Sequence, residues 1–208
     1  MLFSFTDNSF IEAVVVILIL MPSIIVHEVS HGFVADRLGD DTARRAGRLT
    51  LNPVPHIDPF GSVLLPAMLA LAGGPLFGWA KPVPVNAGRF TNPTGHMAIT
   101  ALAGPFSNLL VAALLGRLVF PSLDGVPREI VFWFIALNLS LAVFNMLPIP
   151  PLDGSRLLPL VLPERGRQIY RQFEQFGFLV LFALLFFLPD ALNFMTDWVV
   201  WLLDLVIA

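Results

Sequence analysis

Five residues of this chain, His27-Glu28-Val29-Ser30-His31, sit inside a run of side chains that otherwise belongs in lipid. The apolar stretch begins near Phe10, reaches Val26, and continues in helical register through His31 to about Leu38. In an α-helix, residues four apart share one face and lie about 6 Å apart along the axis. His27 and His31 can therefore reach one ion, with Glu28 beside them and not needed as a ligand. Zinc lowers the pKa of a bound water towards about 7, and a glutamate so placed can take its proton during attack on a carbonyl. The H-E-x-x-H spacing is thus a zinc hydrolase pattern. The bland reading is chance, and the setting argues against it. Ionisable groups in a membrane helix are expensive, and the apolar neighbours offer them no partners.

The rest of the chain fits a membrane setting. Of 208 residues, 56% are hydrophobic and 13% charged, against about 25% charged in a soluble domain. There is no cysteine, so a metal site must draw on His, Asp or Glu. A net charge of −3 gives no reason to expect nucleic acid as a partner. No linker, repeat or low-complexity tract divides the sequence. A single domain over 1–208 is expected, with a catalytic core at about 10–160 and C-terminal helices at about 174–208. The start of the chain lacks a positive n-region, so a cleaved signal peptide is not expected.

The expected fold class is an all-α polytopic membrane protein with five to six transmembrane helices and a re-entrant or extended segment around 60–90. After the first helix, apolar segments run from Phe60 to Phe77, Gly95 to Phe120, Glu129 to Leu147, Phe176 to Leu188 and Ala191 to Ile207. Pro66, Gly73, Gly74 and Pro75 interrupt the second and suit a segment that dips in and returns. That arrangement leaves only Arg117 and Arg128, of 12 basic residues, on the outer side, as the positive-inside rule prefers. The N-terminus is then outside, and residues 37–93 and 150–172 lie at the cytoplasmic face. The segment from Phe176 is short for a full span, which needs about 20 apolar residues. Asp190, Asp197 and Asp204 recur every seven residues, one polar stripe that reads as an interfacial or partner-facing helix rather than a proton path.

A zinc site needs a third protein ligand, and Asp153 is the best candidate. It follows the helix ending near Leu147, in NMLPIPPLDG at 145–154, where Pro148, Pro150 and Pro151 break the helix and let the chain turn back. Both this helix and the first run from outside to inside, so Asp153 and the two histidines arrive at similar depth. Alone, Asp153 would read as a turn residue before Gly154. On the third apolar segment, Gly95 to Phe120, Gly104, Asn108, Ala112 and Gly116 form a stripe of small residues at spacing four, a face that lets helices approach closely. His56 and Asp58 read as a hydrogen-bonded turn in preference to a second metal site.

At these residues the chain resembles the site-2 protease family of intramembrane zinc metalloproteases, and most of all its compact bacterial and archaeal branch without a PDZ domain. The resemblance rests on HEVSH at 27–31, LNPVPHIDPFGS at 51–62, FGWAKPVPVN at 77–86, AGPFSN at 103–108 and NMLPIPPLDG at 145–154. It covers roughly residues 10 to 160. It implies one Zn²⁺ per chain held by His27, His31 and Asp153, with Glu28 as the catalytic base. It also implies transmembrane-helix substrates, a multi-pass place in the cytoplasmic membrane, and an active site towards the cytoplasmic side. A leading span found in some relatives is not expected here.

Two motifs keep two readings each. Asn108 is either an interhelical hydrogen-bonding residue or an amide aimed at the substrate carbonyl or oxyanion. Lys81 to Asn86, KPVPVN, is not helical. It is either a plain loop or an extended edge whose Val83, Val85 and Asn86 pair with an unwound substrate. The rival function is a membrane metal-ion transporter that uses the same His/His/Asp set as a transit site.

Overall fold

The computed structural model describes residues 9–65, 68, 80–187 and 193–208, and all regular elements among them are helical. Helix α1 spans Ser9–Arg37. It stops at Gly39, whose φ of 106° lets the chain close a Schellman turn. Asp40 N donates to Ala35 O at 2.9 Å and Gly39 N to Asp36 O at 3.2 Å. A short helix, α2 (Thr42–Arg45), follows. Helix α3 spans Pro93–Leu114 and winds on through a π turn and a 3₁₀ turn to Ser122. Its start is well specified. Asn92 accepts from Gly95 N, and Pro93 occupies the first turn, where a missing N–H costs nothing. Helix α4 spans Gly125–Asn145.

Three stretches are long and apolar enough to cross a membrane: Leu18–Arg37, Pro93–Ser122 and Gly125–Asn145. They pack on one another. The expectation of five to six spans goes further than this. Helices α7 (Gly177–Phe187) and α8 (Asn193–Ile207) flank residues 188–192, which lie outside the described residues. The proposed dip beyond Leu65 falls almost wholly outside the described residues. Helix α5 (Leu158–Val161) is brief. Helix α6 (Glu164–Glu174) was not expected from hydropathy, because it is strongly amphipathic rather than apolar. It buries Tyr170, exposes Ile169 and Phe173, and pairs Glu174 with Arg156.

The two C-terminal helices join different buried clusters. Val206 of α8 joins Ala112, Phe120, Ile135 and Leu139 in one buried cluster. Leu181 of α7 joins Leu147 and Leu152 in another, against the loop that carries Asp153. Asp197 and Asp204 are exposed on α8, while Asp190 lies outside the described residues. His56 and Asp58 are engaged in a turn: His56 Nε2 is 2.9 Å from Thr50 O, and Asp58 Oδ1 accepts from Phe60 N and Gly61 N.

Candidate metal centre

The i, i+4 spacing on α1 brings the rings of His27 and His31 to 4.6 Å between centroids, nearly perpendicular to each other. Asp153 opens a 3₁₀ turn, Asp153–Leu157, after the proline-rich loop. That loop folds tightly: a Cβ on Gly154 would meet Met146 O at 2.1 Å. Tyr170 of α6 braces it by donating to Ser155 Oγ at 3.1 Å. Asp153 Oδ2 thereby lies 3.0 Å from His27 Nε2 and 3.3 Å from His31 Nε2. One ligand atom from each of the three residues falls within 4.8 Å of the others.

The outer ring nitrogens show what the inner ones carry. His27 Nδ1 lies 2.6 Å from Asn108 Oδ1, and His31 Nδ1 lies 2.7 Å from Thr100 O. Both partners are acceptors, so each neutral ring holds its proton on Nδ1 and turns a bare Nε2 inward. Two lone pairs and a carboxylate oxygen then point at one another. Asp153 Oδ2 is buried without a hydrogen-bond donor. Three anionic or lone-pair atoms at this spacing fit a divalent cation, and two nitrogens with one oxygen are a donor set zinc accepts. Space is reserved as well. A Cβ on Gly104 of α3 would sit 2.4 Å from His31 Nε2 and 2.5 Å from His27 Nε2.

Glu28, half-buried beside the pair, accepts from Val83 N at 2.7 Å. The 81–86 segment is irregular and held at several points. Lys81 N donates to His56 O at 2.9 Å, Arg48 donates to Lys81 O at 2.5 Å, and Asn86 N donates to Asp40 Oδ2 at 2.5 Å. The N–H groups of Val83 and Asn86 thus point into the protein. Of the three residues considered for substrate pairing, Val85 is the one whose N–H meets no partner among the described residues.

Asn108 is fully buried, and its amide is engaged by His27, Asn138 and Ser23. Ser23 and Asn138 escaped the sequence reading. Their signal was present: an amide and a hydroxyl inside apolar spans, where polar groups tend to be functional. Gly104 was read as a helix-packing residue, and its contact with the imidazoles needed coordinates.

The model of peptidase family M50 matches residues 122–188. YwhC of Bacillus subtilis, named as a candidate zinc metalloprotease, is 40% identical over 184 residues, covering 83% of this chain and 80% of YwhC. The chain belongs to peptidase family M50, the site-2 family of zinc metalloproteases. Rip2 of Mycolicibacterium smegmatis, named likewise, is 36% identical, covering 88% of this M50 chain and 70% of Rip2. Rip2 of Mycobacterium tuberculosis is 37% identical over the same shares. No solved structure matches the chain.

Proposed function

We propose that this M50 protein cleaves peptide bonds within transmembrane segments of other proteins, as a single catalytic domain, with His27, His31 and Asp153 holding one zinc ion and Glu28 as its base. The observation that carries this reading is the convergence of Asp153 on His27 and His31, which lie beside Glu28 in the candidate span Leu18–Arg37. When bound there, zinc supplies Lewis acidity, polarising a carbonyl oxygen and acidifying water. Glu28 takes a proton from the attacking water and returns it to the amide nitrogen as the C–N bond breaks. The Val83 N–H keeps one carboxylate oxygen of Glu28 oriented while the other is left to move the proton. The Val85 N–H, without a partner among the described residues, supports an unwound substrate strand lying beside the 81–86 segment. Charge placement supports a site towards the cytoplasmic side. In this reading substrate enters by opening the contact between the core and helices α7 and α8.

Purified protein reconstituted with a helical membrane substrate tests the reading. Glu28→Gln should keep its zinc and lose cleavage by about 100- to 10,000-fold. Equal cleavage by both proteins would remove Glu28 from the chemistry. Zinc flux into vesicles that survives the substitution, with no cleavage by the parent, would favour transport through the same ligands.

A further inference from the structure

The two imidazoles are fixed by different means. His31 Nδ1 faces a backbone carbonyl, Thr100 O, which can only accept. His27 Nδ1 faces the side-chain amide of Asn108, and an amide can present either its oxygen or its nitrogen. Something must decide which. We propose that Ser23 and Asn138 are positioning residues that orient Asn108 and, through it, hold His27 in the Nδ1–H form with Nε2 open to the metal. The inference rests on the reading of His27 as a metal ligand.

The direction of the relay follows from its far end. Asn138 Nδ2 donates to Phe134 O at 2.8 Å and to Ser23 Oγ at 2.9 Å. Phe134 O is a backbone carbonyl, so the nitrogen of Asn138 has to lie on that side. Ser23 Oγ gives its own hydrogen to Ile19 O at 3.1 Å and so offers Asn138 a lone pair. Both hydrogens of Asn138 Nδ2 are then committed, and its Oδ1 turns to accept from Asn108 Nδ2 at 2.8 Å. The other hydrogen of Asn108 goes to Ser23 O at 3.3 Å. Only Oδ1 of Asn108 remains for His27.

A reversed Asn108 would set its oxygen against two other oxygens and its N–H₂ against His27 Nδ1. His27 would then have to accept at Nδ1 and carry its proton on Nε2, where a metal needs a lone pair. Bulk solvent does not reach the reversed arrangement, since Ser23 is 2% exposed and Asn108 and Asn138 are 0%. Plain helix–helix glue would need polar contacts but no fixed direction. Here every link is directional, and the chain of links ends on the metal-facing histidine.

Nitrogen–proton correlation spectra of the metal-free protein in detergent, taken above the ordinary imidazole range, report which ring nitrogen carries the proton. His27 should be in the Nδ1–H form, and a predominantly Nε2–H ring in the unmodified protein would overturn the proposal. Asn138→Ala should shift His27 to a mixture of forms and weaken zinc binding, measured against a competing chelator, by about 10-fold, at the low end of outer-shell effects. Ser23→Ala should do the same more weakly. His31 is the internal control and should stay Nδ1–H throughout. A folded Asn138→Ala with unchanged His27 form and unchanged zinc affinity would also overturn it. If that variant does not fold, the spectrum of the unmodified protein and Ser23→Ala decide. Neither readout involves cleavage, so a proteolytically inert protein with the expected His27 form would defeat the protease reading and leave this one standing.

Discussion

Gly104 and Gly116 belong to one stripe on the same face of α3 and its continuation, and both are places where a Cβ has no room. What fills the space differs. Beside Gly104 are the Nε2 atoms of His31 and His27, at 2.4 and 2.5 Å from where a Cβ would stand. Beside Gly116 are Val206 Cγ1 at 2.2 Å and Val206 O at 2.7 Å. One close approach holds ligand atoms in place; the other seats α8 on a buried apolar cluster. Small residues at spacing four announce that two elements come together. They do not announce whether chemistry or packing occupies the gap.

Exchange of either glycine for alanine separates the two cases. Gly104→Ala should cost the most, because the imidazoles cannot give way without leaving the ligand position. Zinc affinity should drop by more than about 100-fold, beyond the usual outer-shell effect, and cleavage should go with it. Retained stoichiometric zinc in this variant would mean that the pair can rearrange and that the comparison is drawn too sharply. Gly116→Ala should act on stability alone. Overpacking of this kind costs about 1–3 kcal/mol, read as a lower unfolding temperature in detergent, with zinc content unchanged. Loss of zinc from Gly116→Ala would instead couple α8 to the site.

A third position, away from the stripe, sharpens the contrast through pH. Burial alone would raise the carboxyl of Asp40, but donors from Thr42 and from Asn86 N, with Arg89 nearby, bring it below 3.8. A carboxyl lowered on folding stabilises fully above its ordinary value, and that stabilisation is lost as pH falls through the lower folded value. Asp40→Asn should therefore cost about 1–3 kcal/mol at neutral pH and flatten the acid-side loss of stability. An unaltered acid limb would show that Asp40 does not anchor the 81–86 segment. Zinc binding should change little.

Much of the site was legible before any coordinates because its chemistry is local. His27, Glu28 and His31 share one helical turn, and the spacing alone places them together. Asp153 could be proposed from its proline-rich approach and the shared direction of two helices. The relay through Ser23, Asn108 and Asn138 was not legible, since it depends on the rotation of three helices about their axes, which hydropathy does not record. Interhelical hydrogen bonds of this kind contribute only about 1 kcal/mol each to a membrane fold, so they leave little trace in composition. The number of crossings is less legible: three stretches among the described residues are long and apolar enough to cross, while Phe176 to Leu188 and Ala191 to Ile207 lie partly outside the described residues. Helix α6 was missed because an amphipathic helix at a boundary balances its apolar and charged faces.

His27, His31 and Asp153 are expected to hold one zinc ion together. X-ray absorption at the zinc edge of the metal-loaded protein tests it most directly. Two imidazole nitrogens at about 2.0–2.1 Å and oxygen at about 2.0–2.2 Å are predicted, with one imidazole lost from the shell in His27→Ala and in His31→Ala and an altered oxygen shell in Asp153→Ala. A zinc shell with fewer than two imidazoles, or one unchanged by all three substitutions, would contradict the account.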